Sequence, residues 1–305
     1  MNLQHFILRV KIKVDYIRRS FLSHIAPVHM SKVLYRRAFG KDLNLDNPNL
    51  LNEKLMWLKL YKYTDNELVT RCIDKYEVRN YVKACHLEGI LNELINSWDS
   101  VDEINWDELP QRFVLKCNHG CAFNIICTDK QTLNISEAKK RLKKWMKSES
   151  WVLYAETNYK NIKHKVICEK YLDGLGDALP VDYKIYCFQG EPKYIGNFIE
   201  RDIENGTLTR GFFNTDWTPS DVFVDRDKMD LTKFPKPKDL ELMLDYARIL
   251  SKPFPFVRVD LYNVHGRIVF GELTFTPTGC LGTYYTEEAN LKLGDILDVN
   301  YSCEF

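Results

Sequence analysis

Alternation of apolar and polar residues, the period of a strand with one buried face, marks several segments after residue 110. In RFVLKCN, Phe113, Leu115 and Cys117 fall on one face. Strands are also predicted for HKVICEKYL, VDYKIYCF, KYIGNFIER, FVRVDLYN and RIVFGELTF. The turn QGEP joins the third and fourth of these six segments, and the turn VHG joins the last two, so two β-hairpins are predicted.

Helical spacing predicts a second set of elements between and around these strands. NEKLMWLKLY at 52–61 and DKYEVRNYVKA at 74–84 are predicted helices, with Asn52 and Asp74 as N-caps. Ser136 is predicted to cap the basic helix SEAKKRLKKWMK, and DLELMLDYARILSK is amphipathic. The acidic stretch 97–110 is predicted to lie at the surface. Mixed helices and antiparallel strand pairs favour an α+β fold over a doubly wound parallel sheet.

The first 41 residues differ from the rest because nine basic side chains accompany a single acid, Asp15. From Val10 onward, apolar residues interleave with these cations at the spacing of an amphipathic helix. A basic amphipathic helix can lie on an anionic membrane surface. The alternative is a helix packed on the body of the protein with a solvated basic face. The sequence leaves both interpretations open.

Composition argues against several classes of protein, among them nucleic-acid-binding, membrane-spanning and secreted proteins. The 305 residues carry 43 basic and 42 acidic side chains, a balance that gives no support to nucleic-acid binding. No apolar run approaches the roughly 20 residues needed to span a bilayer, and cations interrupt residues 1–26 too often for a signal peptide. Nine cysteines at irregular spacings are typical of reduced thiols, with a metal site at Cys117 and Cys121 as the alternative. We therefore expect a cytoplasmic protein.

The last predicted hairpin carries two acids that can face each other. Arg258 and Asp260 share one face of its first strand, and Glu272 and Thr274 share one face of its second. Directly opposed carboxylates destabilise a strand pair unless a cation compensates them, and hard oxygen ligands suit Mg²⁺. The alternative is a staggered register in which each acid meets its own base, Arg258 or Arg267.

Further candidates for phosphate and base binding lie earlier in the chain. Lys116 sits mid-strand just before a glycine-containing loop, so it is either a phosphate ligand or a surface lysine whose stem packs on the strand. Lys184 is either a second such ligand or the ion-pair partner of Asp182. The segment EKYL at 169–172 ends a strand and could line an adenine pocket. Lys75 and Arg79 share a helical face, so they either clamp a phosphate or carboxylate or form a solvated basic face.

The order of these residues along the chain resembles the ATP-grasp superfamily, and the closer resemblance is to the TupA-like ATP-grasp family. The motifs that carry it are LNEKLMWLKLY, DKYEVRNYV, FVLKCNHG, NIICTDK, VICEKYLDG, DYKIYCFQGEPKYI, FPFVRVDLYNVHGRIVFGELTFTP and KLGDI. The resemblance implies an ATP-grasp fold, in which two α+β subdomains grip ATP. It divides the chain into a helical region at 1–110, a small subdomain at 111–180 and a large, metal-binding subdomain at 181–305.

The resemblance also implies which residues bind the nucleotide. By position, Lys75 and Lys116 are the lysines that reach the α- and β-phosphates, and the turn with His119 and Gly120 closes over them. The hinge around adenine consists of Glu169, Lys170, Tyr171 and Leu172.

The resemblance places the chemistry on the two predicted hairpins. It implies that Lys184 contacts the terminal phosphate, that Arg258 steadies the transferred phosphoryl group, and that Asp260 and Glu272 hold Mg²⁺. Thr274 stands where ATP-grasp enzymes commonly have an asparagine ligand. The expected partners are ATP, Mg²⁺, a carboxylate substrate and an amine. The family's setting in surface-polysaccharide synthesis implies a hexuronic acid and an amino acid or amino alcohol.

Two other functions fit parts of the sequence. The turn Cys121-Ala122-Phe123 replaces a glycine-rich run, and a phenylalanine there hinders close approach of the backbone to phosphate. A catalytically inactive ATP-grasp binding module is therefore one alternative. Asp225-Arg226-Asp227 is a DxD triplet, which supports a glycosyltransferase as the other alternative.

Overall fold

The computed structural model describes residues 3–174, 180–202, 207–224, 227 and 229–303. Its α-helices are α1 (Leu3–Ile25), α2 (Pro27–Phe39), α3 (Leu51–Trp57), α4 (Glu67–Ile73), α5 (Val78–Ala84), α6 (Ile135–Met146), α7 (Leu240–Ser251) and α8 (Glu287–Ile296). The chain therefore begins with a helical region, as predicted.

A first antiparallel sheet follows the N-terminal helices. Its strands are β1 (Leu94–Trp98), β2 (Phe113–Cys117), β3 (Asn124–Cys127) and β4 (Val166–Lys170), in the order β1-β4-β2-β3. The apolar face of β2 is buried as predicted, and it packs with Ala138 and Leu142 of α6. The sheet uses residues from 94 onward, upstream of the predicted domain boundary at 110.

A second antiparallel sheet contains both predicted hairpins. Its strands are β5 (Val181–Phe188), β6 (Glu191–Asp202), β7 (Thr207–Asn214), β8 (Phe256–Val264) and β9 (Arg267–Thr274), in the order β7-β6-β5-β8-β9. The β5–β6 and β8–β9 hairpins are confirmed, and the α+β class with two antiparallel sheets is confirmed with them. The sheet packs with α3, α4, α5 and α7 in one large apolar core.

The prediction that residues 97–110 lie at the surface is wrong. Trp98, Val101, Ile104, Trp106 and Leu109 are all buried and join the core of the first sheet. The acids of this segment alternate with these apolar residues and take the exposed positions, so net charge alone concealed an apolar face.

The predicted helix starts also need correction. Asp74 does not cap a helix at 74–84: its carboxylate accepts the N–H groups of Tyr76 and Glu77, which forms a turn, and α5 begins only at Val78. The cap of α6 is Asn134 rather than Ser136, because the Asn134 side chain accepts the N–H of Glu137. The third predicted cap, at Asn52, is wrong as well, since α3 already begins at Leu51.

Among the described residues, no helix combines the length and the apolar character needed to cross a membrane. The amphipathic helix predicted from Val10 onward is confirmed as α1, which packs against α2 and against the short 3₁₀ segment Ser150–Leu153. Leu22 of α1 contacts a small apolar cluster formed by Met30, Leu34 and Ala155.

Candidate nucleotide and metal site

The two candidate metal carboxylates lie directly opposite each other. Asp260 on β8 pairs in register with Glu272 on β9, and on its other side with Lys184 on β5. Lys184 Nζ lies 2.6 Å from Asp260 Oδ2 and 2.8 Å from Asp182 Oδ2. Three adjacent strands thus place a cation and two carboxylates in one row. The staggered register is excluded, although the ion pair of Asp182 with Lys184 is present.

Arg258 connects the two carboxylates from the same face of β8. Its guanidinium donates to both oxygens of Asp260, at 2.6 and 2.7 Å, and also to the hydroxyl of Thr274 at 3.0 Å. The same side chain approaches Glu272 at 3.6 Å. A planar guanidinium suits this bidentate geometry. Asp260 is 2% exposed, so the arginine and Lys184 compensate a carboxylate that has almost no access to water.

Glu272 is the accessible member of the pair. Its side chain is 37% exposed, and Lys75 Nζ lies 3.3 Å from its Oε2. Burial favours the protonated form, but the charges of Lys75, Arg258 and Lys184 outweigh it and lower the pKa of Glu272 to about 2. These three cations therefore favour the ionised carboxylate.

Lys75 links this pair to the loop that follows β2. Its Nζ donates to the carbonyl oxygen of Gly120 at 3.0 Å, and its backbone N–H donates to the carbonyl oxygen of Asn118. Asn118 is buried and its side-chain amide donates to Asp74 at 2.9 Å. This hydrogen bond connects the loop after β2 to the turn before α5. The structure therefore brings Lys75, Gly120 and Glu272 together from three distant parts of the chain.

The loop itself is packed against α6. His119 is 3% exposed, stacks on His164 with ring centroids 3.4 Å apart, and has Nε2 3.1 Å from the carbonyl oxygen of Trp145. Phe123 stacks on Trp145, and a Cβ on Gly120 would collide with the Phe123 ring. The phenylalanine that departs from the family pattern thus fastens the loop to α6 and requires glycine at 120.

Lys116 points out of β2 toward the end of β4. Its Nζ lies 2.6 Å from Glu169 Oε2, and Arg79 approaches the other oxygen of Glu169 at 3.6 Å. Arg79 also donates to the carbonyl oxygen of Asn92. Glu169 is 8% exposed, so it holds two cations at the inner wall of the site instead of facing solvent.

A cavity of about 160 Å³ lies between the two sheets where these side chains meet. The first sheet and the segment after β4 contribute most of its wall, and Tyr262 on β8 and Pro180, just before β5, close the other side. Its remaining lining residues are Asn92, Val114, Lys116, Asn124, Ile126, Glu169, Lys170, Tyr171 and Leu172. All four residues of the predicted adenine hinge line this one cavity.

Two members of the hinge turn their side chains outward. The Lys170 ammonium lies 3.2 Å from Glu93 at the exposed edge, while the Lys170 carbonyl oxygen accepts the side-chain amide of Asn92. Tyr171 packs beneath the guanidinium of Arg112. Backbone groups and Leu172 are therefore the parts of the hinge that are suited to contact a flat base.

Glu156 is a charged residue beside the site that the sequence patterns did not single out. It accepts the hydroxyl of Thr276, just after β9, at 2.6 Å. Burial raises the pKa of Glu156, while the Thr276 hydrogen bond and the charge of Lys59 oppose the rise. Burial, followed by the charges of Glu156 and Glu272, raises the pKa of Tyr159 well above its usual range, so Glu156 belongs to the electrostatic neighbourhood of the carboxylate pair.

The donor set at the pair fits Mg²⁺. Among the residues the structure describes, no cluster of three or more acid, histidine or cysteine side chains is suited to hold a metal. Two carboxylates with a nearby hydroxyl are nevertheless what Mg²⁺ commonly takes from a protein, because nucleotide phosphates and water supply the remaining ligands. Glu272 is open to such an ion, whereas Asp260 is held by Arg258 and Lys184.

Comparison with solved structures gives distant similarities. A D-alanine–D-alanine ligase from Bacillus anthracis, complexed with ATP, is 17% identical over 68% of this chain and 57% of its own, with a TM-score of 0.40. D-alanyl-alanine synthetase A from Vibrio cholerae is 11% identical over 75% and 62%, with a TM-score of 0.45. N5-carboxyaminoimidazole synthetase from Staphylococcus aureus is 10% identical over 72% and 50%, with a TM-score of 0.43. The chain spans between half and two thirds of the length of these structures.

Comparison with protein families gives a match over most of the chain. None of the curated proteins compared with the sequence matches it. The profile of the family described as TupA-like ATPgrasp matches residues 53–298, from α3 to the end of α8, and includes every site residue discussed above. The chain therefore belongs to the TupA-like ATP-grasp family.

Proposed function

We propose that this chain is an ATP-dependent ligase that joins a carboxylate to an amine through an acyl phosphate, releasing ADP and phosphate. The observation that carries the proposal is a set of cations distributed over two antiparallel sheets. Lys75, Lys184 and Arg258 lie around the acids Asp260 and Glu272, and Lys116 lines the cavity between the sheets. Four cations and an accessible acid suit a site that binds a polyphosphate together with a divalent cation.

ATP binding divides between the two sheets in this proposal. The adenine ring enters the cavity that the 169–172 segment lines, and Lys116 and Lys75 extend toward the α- and β-phosphates. Both lysines are held by acids in the structure, at Glu169 and Glu272. The polyphosphate would exchange these ion pairs for its own, so the lysines are already oriented before the ligand arrives.

Phosphoryl transfer is placed at the row of charges on β5, β8 and β9. The substrate carboxylate attacks the γ-phosphorus, the bond to the β-phosphate oxygen breaks, and ADP leaves with that electron pair. Lys184 and Arg258 lower the energy of the developing negative charge on the transferred group. Mg²⁺ at Glu272, Asp260 and Thr274 would neutralise phosphate charge and orient the oxygens when bound.

Amide formation completes the reaction. The amine attacks the carbonyl carbon of the acyl phosphate, inorganic phosphate departs, and one proton must leave the amine nitrogen. Glu156 is suited to accept that proton or to bind the entering ammonium, since it is a partly buried carboxylate beside Thr276 and close to the transfer site. Its raised pKa makes it a better base than an exposed glutamate.

The substrate class is proposed from the setting of the family. A hexuronic acid of a surface polysaccharide would supply the carboxylate, and an amino acid or amino alcohol the amine. The basic N-terminal region supports an anionic carbohydrate, because its first 41 residues carry nine basic side chains against one acid. A cytoplasmic location, where ATP is available, agrees with this assignment.

An inactive binding module is the second candidate, and the Phe123 ring packed against Gly120 is the observation that favours it. A loop fastened to α6 closes over phosphates less readily than a free glycine-rich turn. The glycosyltransferase alternative rests on Asp225-Arg226-Asp227, of which Asp225 and Arg226 lie outside the described residues.

The test is ADP release from Mg-ATP in the presence of a panel of uronic acids combined with amino acids and amino alcohols. Wild type should release ADP only when a carboxylate and an amine are both present. Glu272→Gln should lose at least about 99% of that rate, because it removes the negative charge of a proposed metal ligand at the transfer site. The control Glu241→Gln changes an exposed acid on α7 and should match wild type.

The alternatives give different results in the same assay. If Glu272→Gln releases ADP at the same rate as wild type, the proposed site is contradicted. If wild type binds Mg-ATP but gives no turnover with any pair, the inactive module is favoured. Turnover of a nucleotide sugar that depends on Asp225 would favour the glycosyltransferase.

A further inference from the structure

Helix α1 presents a line of apolar side chains to solvent. Val10, Val14, Ile17, Phe21 and Ile25 follow one another at intervals of three or four residues, which places them on a single face of the helix. Each is between 45% and 62% exposed. We refer to these five residues as the apolar stripe. Exposed apolar side chains aligned over several turns are unusual on a free surface and mark an interaction site.

The stripe faces away from the body because α1 is anchored by its other side. Ser23 is buried and donates to the carbonyl oxygen of Val152 at 2.7 Å, and Arg19 donates to that of Leu153 at 3.1 Å. Leu22 packs into the apolar cluster near Met30. The interpretation in which α1 merely shows a basic face to water is therefore incomplete, because its apolar face is also in water.

Positive charge borders the stripe on both sides. Lys13 lies on one flank, and Lys11 and Arg18 lie on the other, all with exposed side chains. The single acid of the region, Asp15, forms ion pairs with Arg18, Arg19 and Arg37. The first 41 residues hold nine of the 43 basic side chains and one of the 42 acids, so the rest of the chain is acidic.

This charge pattern argues against a second copy of α1 as the partner. If two stripes packed together, Lys11, Lys13 and Arg18 of one helix would border the same cations of the other, in parallel or antiparallel orientation. Like charges at these flanking positions disfavour helix pairing, since coiled coils place opposite charges there. An anionic surface satisfies the flanking cations and the stripe together.

We propose that α1 docks this protein on an anionic lipid bilayer, with the apolar stripe buried at the boundary between headgroups and acyl chains and with Lys11, Lys13 and Arg18 among the headgroups. A helix with a basic border and an apolar face lies in the plane of such an interface. The site between the sheets plays no part in this contact. The proposal therefore stands or falls independently of the ligase activity.

The test is flotation of the full-length protein with vesicles of phosphatidylcholine alone or mixed with phosphatidylglycerol. Wild type should float with the anionic vesicles and stay behind with the neutral ones. Val14→Gln with Ile17→Gln should weaken binding by about tenfold or more, because two stripe residues lose their apolar burial. The matched control, Ile12→Gln with Tyr16→Gln, replaces two exposed apolar residues on another face of α1 and should bind like wild type.

A charge variant checks the second half of the proposal. Lys11→Gln, Lys13→Gln and Arg18→Gln together should remove the preference for phosphatidylglycerol, and added salt should do the same to wild type. Equal flotation of the stripe variant and wild type overturns the proposal, as does absence of wild-type binding to anionic vesicles. A wild-type dimer in sedimentation that the stripe variant dissociates would assign the stripe to self-association instead. Unchanged unfolding temperatures confirm that the variants are folded.

Discussion

At the scale of single residues, the site is a set of buried or half-buried charges that compensate one another. Asp260 has two cationic partners at 2.6 Å, Lys184 and Arg258. The ion pairs of Glu272 are longer, at 3.3 and 3.6 Å, and its side chain remains accessible. Removing one member of such a buried set leaves its partners uncompensated and is strongly destabilising. Glu272 is thus the better position for testing function, because Asp260 combines a structural role with the proposed metal role.

Glu156→Gln should affect the amine more than the nucleotide. The amide cannot accept a proton or attract an ammonium, although it keeps the size and one acceptor oxygen for Thr276. We expect the KM for the amine to rise by about tenfold or more and the rate to fall, with the KM for ATP within about twofold of wild type. Steady-state kinetics with each substrate varied in turn measure this difference. A parallel rise in the KM for ATP would instead give Glu156 a structural role.

At the scale of elements, the loop after β2 depends on a neutral histidine. Burial, and then the charge of His164, lowers the pKa of His119 to about 4. The unfolded chain takes up this proton near pH 6.5, so the native state loses stability as pH falls from about 6.5 toward 4. We predict that His119 accounts for about 2 kcal/mol of lost unfolding free energy between pH 7 and pH 5.

Urea unfolding of wild type and His119→Gln at both pH values measures this contribution. The variant should lose about 2 kcal/mol less than wild type on acidification, whereas His29→Gln on the exposed side of α2 should behave like wild type. If His119→Gln and wild type lose the same free energy, the histidine is not held neutral by the packing of the loop on α6.

Packing between α3 and α8 gives a second prediction at this scale. A Cβ on Gly294 would collide with the carbonyl oxygen of Asn49, just before α3. Gly294→Ala should therefore lower the free energy of unfolding by about 1–3 kcal/mol, because the two helices must separate. Gly89→Ala is the matched control, since nothing lies within 4 Å of its added methyl group. Equal urea midpoints for the two variants would show that the helices do not pack this closely.

The parts of the fold that local patterns determine were predictable, and the parts set by distant contacts were not. The β8–β9 hairpin follows from apolar and polar alternation on both sides of a short turn. The exact pairing of Asp260 with Glu272 was not fixed by that alternation, because a register shift between Asp260 and Leu261 skips Gly271 and brings Glu272 opposite Asp260. β1 was missed because its burial depends on pairing with β4, far along the chain. Glu156 was missed for the same reason: only tertiary packing brings it to Thr276.

At the scale of the whole molecule, the two sheets have separate apolar cores and meet at the cavity. Lys75 bridges them, because it contacts Gly120 at the first sheet and Glu272 on the second. A ligand that occupies the cleft would touch both cores, and its binding would be sensitive to the charges on either side. We propose that this ligand is a nucleotide.

Direct titration of Mg-ATP by calorimetry tests that claim most simply, because it needs no knowledge of the other substrates. We predict saturable binding to wild type and at least about tenfold weaker binding to Lys116→Ala, which loses the cation that we propose for the phosphates. Lys140→Ala, an exposed lysine on α6, should bind like wild type. Absence of binding to wild type, or equal affinity for Lys116→Ala, would contradict the account.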